Sequence, residues 1–164
     1  MPNNKKPMED KEKIFKGIIP PPIIFFALIL IGFIIQWLFP LNLMFNKWPT
    51  RLFIALPLFI ASGLIAISAL KIMKKSKTAI NFNNPTTKFI VEGSFRFTRN
   101  PLYLSLLLVM ASIAIVANSA WHLIAFIILF LFFNFGIVVR EEQYLENCFG
   151  QEYTQYKSRV RRWI

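Results

Sequence analysis

Residues 91–103 read VEGSFRFTRNPLY, a polar stretch between two long apolar runs. Gly93 within it can adopt a positive φ or let another group approach the backbone closely. Asn100-Pro101 predicts a turn that opens a helix, because proline tolerates the first helical position and disfavours the α conformation in the residue before it. A loop carrying two arginines therefore meets a membrane helix near Tyr103. On physical grounds alone, these residues could equally form a basic, aromatic anchor at the membrane surface.

The composition is too apolar for a small soluble domain. Hydrophobic residues make up 55% of the 164-residue chain, and 18 residues are Phe, whereas soluble domains average about 45–50% even with Gly counted as apolar. The net charge of +11 suits either nucleic acid or an anionic membrane surface. Because the basic residues flank apolar runs, the pattern favours the membrane, and no nucleic-acid partner is expected.

Cysteine and histidine are too scarce for several kinds of site. The chain has one cysteine, Cys148, and one histidine, His122. An intrachain disulfide is therefore excluded, and the sequence predicts no metal site built from Cys or His ligands. A Ser-His-Asp triad is disfavoured for the same reason.

Four apolar segments predict an all-α integral membrane protein with four transmembrane helices. They cover about residues 18–39, 52–73, 102–117 and 121–139. The first two each reach the roughly 20 residues needed to cross a hydrocarbon core about 30 Å thick. The third is shorter, and a tight turn at Asn118-Ser119 joins it to the fourth. We expect residues 1–17 to form a cytoplasmic tail and residues 18–164 a single domain. From Arg140 onwards the pattern predicts an amphipathic helix that lies against the bilayer.

The basic residues predict the orientation of these spans. Of the 19 Lys and Arg residues, only Lys47 and Arg51 belong to the connection between the first and second spans. The others lie in the N-terminal tail, in or beside the loop between the second and third spans, or after the fourth. By the positive-inside rule both termini and the long loop are expected in the cytoplasm, with the chain in a bacterial inner membrane. His122, at the opposite end of the last two spans, is predicted to be an interface residue.

The loop from Lys74 to Asn100 shows no obvious strand or helix and is long for a passive connection, which favours a functional role. It lies on the same side of the membrane as the C-terminal tail. Polar groups that are distant in sequence can therefore converge there, within reach of a soluble cofactor and of a lipophilic substrate.

Three motifs in this half of the chain carry a family resemblance. They are Gly-x-Phe-x-x-x-Arg-Asn-Pro-x-Tyr at residues 93–103, Glu-Glu-x-x-Leu at 141–145 and Phe-Gly-x-x-Tyr-x-x-Tyr at 149–156. In this order, with an apolar hairpin after the first, they resemble the isoprenylcysteine carboxyl methyltransferase and phospholipid methyltransferase superfamily. The resemblance covers about residues 78–164.

In that superfamily these motifs bind S-adenosylmethionine, whose ammonium group and ribose hydroxyls need hydrogen-bond acceptors. The resemblance implies an S-adenosylmethionine-dependent O- or N-methyltransferase. It also implies a cofactor site formed by the cytoplasmic loop and the C-terminal amphipathic helix. The cofactor-binding residues that it implies are Val91, Gly93, Phe95, Arg99, Asn100, Pro101, Tyr103, Glu141, Glu142 and Leu145.

The resemblance assigns no catalytic residue. Tyr103 and Glu142 are candidates for taking a proton from an amine acceptor, whereas a carboxylate acceptor needs no base. Asn100 stands where the family motif has His. Because Asn does not titrate near neutral pH, a general base at this position is excluded.

One departure leaves the methyl acceptor open. The eukaryotic isoprenylcysteine enzymes have an arginine shortly before the Glu pair, where this chain has the uncharged residues 134–139, NFGIVV. We expect a lipophilic membrane acceptor with either an isoprenylcysteine-like carboxylate or a phospholipid-like head group.

Alternative interpretations stay open at the level of residues and of function. Glu141 and Glu142 could be a solvated start to the C-terminal helix, with Arg140 as a neighbouring countercharge. Tyr153 and Tyr156 could belong to an interfacial aromatic belt. The chain could also be an NADPH-dependent membrane reductase of the sterol type, a group with a similar motif but usually longer. A further alternative is a non-enzymatic adaptor that binds anionic lipid.

Overall fold

The computed structural model describes residues 19–43, 47–76 and 90–164. The predicted tail, residues 1–17, and part of the predicted polar loop lie outside these ranges. The described residues form helices, and their one β-type contact is an isolated bridge between Asn42 and Ser119. The elements are α1 (Pro21–Leu38), α2 (Trp48–Lys75), a 3₁₀ turn (Gly93–Arg96), α3 (Pro101–Val116), α4 (Ala120–Leu131), a π-helix (Phe132–Val138), α5 (Val139–Phe149) and α6 (Gln151–Arg159).

Three helical runs are long and apolar enough to cross a membrane: α1, α2 and the continuous run Ala120–Phe149. Their outward-facing residues include Trp37 and Phe53, whose side chains are more than four-fifths exposed. Such exposure of large apolar side chains suits a lipid environment. The all-α prediction is confirmed for the described residues, and three of the four predicted spans coincide with helices that are long and apolar enough to cross. Helix α3 is apolar but has 16 residues, so the fourth crossing stays a prediction.

The fourth predicted span and the predicted amphipathic helix after it form one helical run, which continues through the π-helix and α5 to Phe149. One sequence expectation needs correction. The loop between Lys74 and Asn100 was expected to lack helices, yet α2 includes Lys75 and a 3₁₀ turn forms at Gly93–Arg96. A π-helix inserts an extra residue into a helical ladder without interrupting the apolar pattern, so hydropathy gives no sign of it.

The chain divides into two compact units. We call Ile19–Ile65 with Leu102–Asn134 the membrane unit, and residues 66–101 with Phe135–Ile164 the polar unit. In the membrane unit α1 packs on α4. Helices α2 and α3 are joined by a hydrogen bond of 2.9 Å from the Ser62 hydroxyl to the Ser105 carbonyl.

His122 lies at the contact between α1 and α4. Its side chain is fully buried, and a Cβ at Gly32 would come within 2.9 Å of the imidazole Nε2. The ring also makes an edge-to-face contact with Phe33, with the centroids 4.4 Å apart. The structure therefore adds to the prediction of a membrane-interface position that the imidazole is packed inside the protein, where the absent side chain of Gly32 leaves a slot that it fills.

The polar unit contains the end of α2, the 3₁₀ turn, Pro101, and helices α5 and α6. Gly150 separates α5 from α6 with φ +53° and ψ −125°, a conformation open to glycine and very costly for other residues. This agrees with the sequence, where Gly150 stands between two amphipathic stretches. The two helices pack against each other and bring their polar faces to the loop that precedes α3.

Candidate functional site

The loop before α3 is anchored on α2. Gly93 has φ +56°, and a Cβ there would overlap the Ile72 side chain and lie 3.0 Å from the Ser68 hydroxyl. The next residue, Ser94, donates its N–H to that same hydroxyl at 3.2 Å. The positive φ favours a glycine, and the missing Cβ leaves room for the end of the Ile72 side chain, so the first residue of the 93–103 motif lets the loop lie against the helix.

The second half of the loop is tied to the C-terminal segment, residues 160–164. Arg99 donates its N–H to the Arg161 carbonyl at 3.1 Å. The Thr98 hydroxyl and the Asn100 side-chain amide both donate to the Arg162 carbonyl, each at 3.0 Å. The Asn100 amide therefore holds the protein's own main chain. These three bonds join residues that are more than 60 positions apart in sequence.

Glu142 is the centre of an ionic cluster in this unit. Its side chain is 6% exposed. Arg162 donates from Nε to one carboxylate oxygen at 3.1 Å and from Nη2 to the other at 2.8 Å. Arg99 Nη2 lies 3.1 Å from the first oxygen, and Lys157 Nζ lies 3.8 Å from the second. Lys157 is bound more closely to Glu146, at 2.6 Å.

This arrangement explains how a carboxylate is tolerated inside the unit. A buried charge is costly unless it is paired and hydrogen-bonded. The two-point contact with Arg162 is the strong, geometrically defined kind of carboxylate–guanidinium pair. It also raises the pKa of Arg162, chiefly through the hydrogen bonds to Glu142 and against the effect of burial.

Arg99 keeps donors that the described part of the chain does not use. Its side chain is 8% exposed, and Nε and Nη1 are buried without a hydrogen-bond partner among the described residues. The Ser94 hydroxyl is likewise buried without a hydrogen-bond partner among the described residues. Buried polar groups are satisfied in the great majority of cases, so such atoms call for a ligand or water. The vacant Nε–H and Nη1–H point in different directions, and each is suited to an anionic oxygen such as that of a carboxylate or phosphate.

Two tyrosines of α6 line the cluster. The Tyr156 hydroxyl donates to the Phe95 carbonyl at 2.6 Å, and its ring centroid lies 5.9 Å from that of Tyr153. Burial raises the pKa of Tyr156 from 10.0 to about 12, partly offset by Arg99. Burial and then Glu142 raise the pKa of Tyr153 as well. Both hydroxyls are therefore protonated at neutral pH, and neither belongs to an exposed aromatic belt.

The structure brings together some of the residues implied by the sequence. Arg99 contacts Glu142, and Asn100 contacts the segment whose Arg162 also contacts Glu142. Tyr103 belongs to the membrane unit, where its ring packs against Phe133 with the centroids 5.0 Å apart. The remaining implied residues lie in the polar unit. Val91 is exposed, Gly93 and Pro101 belong to the anchored loop, and the Phe95 carbonyl accepts from Tyr156. Glu141 and Leu145 are half-buried on α5.

The site residues predicted from the sequence do not include Lys157 and Arg162, which the structure places at Glu142. Nothing in the spacing of Arg159, Arg161 and Arg162 shows that Arg162 is the one that reaches Glu142. Arg162 contacts a carboxylate 20 positions earlier in the chain, which is far outside helical spacing. The fold of α6 back onto α5 makes that contact, so it cannot be read from local periodicity.

Comparison with known proteins gives the family. The model of the phospholipid methyltransferase family matches residues 50–152. The chain belongs to the phospholipid methyltransferase family. This confirms the resemblance seen in the three motifs. The match includes Arg99, Asn100 and Glu142 and ends before Lys157 and Arg162.

A protein of Haemophilus influenzae described as uncharacterized is 41% identical over 63 residues, which are 38% of this chain and the whole of that protein. No solved structure matches the chain.

Proposed function

We propose that this phospholipid methyltransferase family member transfers a methyl group from S-adenosylmethionine to a lipophilic acceptor in the membrane. Family membership supports methyl transfer to a lipid-like substrate. The observation that carries the proposed cofactor is the pair of buried, unused donors on Arg99, in the motif that the sequence assigns to cofactor binding. The apolar helices support an acceptor taken from the bilayer.

The donors and acceptors of the cluster fit this cofactor. Its carboxylate can accept from Nε or Nη1 of Arg99, and a ribose hydroxyl can bond the Ser94 hydroxyl of the same loop. Its ammonium group needs acceptors, which Glu141 and Glu142 supply. A carboxylate has about four lone-pair sites. The Glu142 oxygens receive three donors from the two arginines, which leaves capacity for one more.

When bound, the cofactor supplies a methyl group on a sulfonium, which moves by direct displacement to a nucleophilic atom of the acceptor. The chain's own contribution is alignment and exclusion of water, effects that together can lower a barrier by about 7–11 kcal/mol. Arg99 and Ser94 would hold the polar ends. Tyr153 and Tyr156 stay neutral beside them and add no competing charge.

Proton removal depends on the acceptor. A carboxylate acceptor needs none, while a protonated amine must lose a proton to a base, for which Tyr103 and Glu142 are the candidates. Accepting that proton would neutralise the Glu142 carboxylate and weaken its ion pairs with Arg162 and Arg99. This favours an acceptor that arrives already unprotonated.

We further propose four crossings of a bacterial inner membrane with both termini in the cytoplasm. Helix α3 is the short crossing, since its 16 residues rise about 24 Å at 1.5 Å per residue. A local thinning of the bilayer or a partly immersed end accommodates such a length. The basic residues of the polar unit then face the cytoplasm, where a soluble cofactor is available.

Isothermal titration calorimetry tests the cofactor assignment. Detergent-solubilised full-length protein is titrated with S-adenosylhomocysteine, with NADPH as the comparison ligand. We expect S-adenosylhomocysteine to bind and NADPH not to bind. Arg99→Ala should weaken the affinity by about ten- to hundredfold, because hydrogen bonds to charged groups contribute about 1.5–3 kcal/mol. Arg159→Ala, an exposed arginine of α6, is the matched control and should bind normally. Binding of NADPH instead would contradict the methyltransferase proposal and indicate a reductase.

A further inference from the structure

We propose that Arg162 is a positioning residue for the cofactor site, acting through Glu142 on Arg99. The proposal rests on the proposed function, because it concerns the cofactor that Arg99 would hold. Arg162 lies outside the residues matched by the family model. Family membership therefore assigns it no role, and only the fold brings it to Glu142.

The contacts of Arg162 form a closed ring. Its main-chain carbonyl accepts from the Thr98 hydroxyl and the Asn100 amide, on either side of Arg99. Its guanidinium grips both oxygens of Glu142, and Glu142 in turn accepts from Arg99 Nη2. The carbonyl of Arg162 thus holds the residues on either side of Arg99, and its guanidinium holds Glu142, which contacts the Arg99 side chain.

The two-point contact decides which way the Glu142 carboxylate faces. Arg99 meets Glu142 through one nitrogen and one oxygen, at 3.1 Å. A single contact of that kind leaves both side chains able to rotate. The fork of Arg162 fixes the carboxylate plane, so that Oε1 stays directed at Nη2. The remaining donors of Arg99, Nε and Nη1, are then held in one orientation before any ligand arrives, which reduces the ordering cost of binding.

No other cation of the described cluster can replace the two-point contact of Arg162 with Glu142. Lys157 is the third cation near Glu142, but it lies 3.8 Å away and is 2.6 Å from Glu146. Its ammonium is a point charge without a planar fork. The neighbouring Arg161 is exposed, and its Nη1 donates to the Ile164 carbonyl at 3.5 Å.

A double-mutant cycle on ligand affinity tests the proposal. The variants are Arg162→Gln, Glu142→Gln and the two combined, with Arg161→Gln as the matched control from the same segment. Each is the detergent-solubilised full chain titrated with S-adenosylhomocysteine. We expect Arg162→Gln to raise Kd at least about tenfold and Arg161→Gln to leave it unchanged. If Arg162 acts through Glu142, the combined variant should bind no more weakly than Glu142→Gln alone.

The possible outcomes separate the inference from the proposed function. Wild-type affinity in Arg162→Gln overturns the positioning role while leaving the cofactor assignment intact. Additive losses in the combined variant overturn it as well, because they show that Arg162 acts independently of Glu142. Absence of binding by the wild type rejects the cofactor assignment, and with it the inference.

Arg162→Lys keeps the test decisive if Arg162→Gln does not fold. Lysine retains the charge but cannot grip both carboxylate oxygens. We expect it to keep the unfolding temperature of the wild type and still raise Kd several-fold. Wild-type affinity in a folded Arg162→Lys protein would show that charge alone suffices and would overturn the positioning role.

Discussion

Glu142 shows how one residue can organise a site by what it holds in place. Its carboxylate is nearly buried and contacts two arginines, so both guanidinium groups depend on it for their position. Removing one member of such a buried cluster leaves the others without compensation, at a cost of about 3–5 kcal/mol. The sequence places Glu142 in a binding motif. In the structure its carboxylate contacts two arginines of the protein itself.

Gly93 is a second residue on which the site depends, and it allows a stability prediction. Gly93→Ala should destabilise the protein by about 2–4 kcal/mol, since it combines a left-handed backbone with a clash against Ile72. Gly150→Ala shares a positive φ but meets open space, so it should cost less. Gly63→Ala, in the interior of α2 with open space around it, should be neutral or slightly stabilising. Thermal unfolding in detergent ranks the three, and equal effects for Gly93 and Gly63 would contradict the clash.

Tyr156 predicts a loss of stability at alkaline pH. Its pKa is 10.0 in the unfolded chain and about 12 in the folded one. Above pH 10 the unfolded chain ionises first, so the contribution of this group to stability is full below pH 10 and is lost as pH rises towards 12. The free energy of unfolding should fall over that window. Tyr156→Phe should start lower, because it loses the bond to Phe95, and then fall less steeply.

Tyr153→Phe is the companion variant, since burial raises that pKa in the same direction. Chemical unfolding at several pH values between 9 and 12 measures the slopes. If wild type and Tyr156→Phe fall in parallel, the hydroxyl of Tyr156 is not protected by the fold and the assignment of its environment is wrong.

At the scale of elements, the turn between α3 and α4 is held by more than its sequence suggests. Ser119 caps α4 by accepting from the His122 N–H, and its hydroxyl donates to the Gln36 side chain at 2.8 Å. Gln36 also bonds Asn42, and Trp121 donates to the Phe39 carbonyl. These contacts join the connection after α1 to the hairpin of α3 and α4, at the end of the membrane unit that contains Lys47.

Ser119→Ala tests this element. Loss of an N-cap costs about 0.5–2 kcal/mol, and the lost bond to Gln36 adds to it, so we expect destabilisation towards the upper end of that range. Ser158→Ala is the control, because the Ser158 hydroxyl is exposed and bonds only the nearby Gln155 carbonyl among the described residues. Equal unfolding temperatures for the two variants would show that the turn does not depend on Ser119.

The elements also show where sequence reasoning succeeds. Apolar length predicted α1 and α2 within a few residues of their observed ends, because crossing a membrane imposes that length. Pro101 marked the first residue of α3 through its fixed φ. The π-helix at Phe132–Val138 and the burial of His122 beside Gly32 were missed. Both depend on how neighbouring helices pack, which hydropathy does not encode. The same limit applies to Arg162, whose partner is reached only through tertiary structure.

At the scale of the whole molecule, the proposed topology makes a test possible with the chain's single cysteine removed. In a Cys148→Ser background, Lys47→Cys and Ser158→Cys each place one thiol at an exposed position. Four crossings put these thiols on opposite sides of the membrane. An impermeant maleimide should label Lys47→Cys only from outside and Ser158→Cys only from the cytoplasmic side. Labelling of both from one side would show that α3 does not cross.

An assay of methyl transfer to lipid tests most directly whether this protein is a methyltransferase whose cofactor is held by Arg99. Purified protein in liposomes made from a bacterial lipid extract is incubated with S-adenosylmethionine carrying a tritiated methyl group, and label is counted in the organic phase. Wild type and Arg159→Ala should transfer label, and Arg99→Ala should transfer at least about tenfold less. Label in the organic phase no higher than in protein-free liposomes, or equal transfer by Arg99→Ala and wild type, would contradict a methyltransferase whose cofactor is held by Arg99.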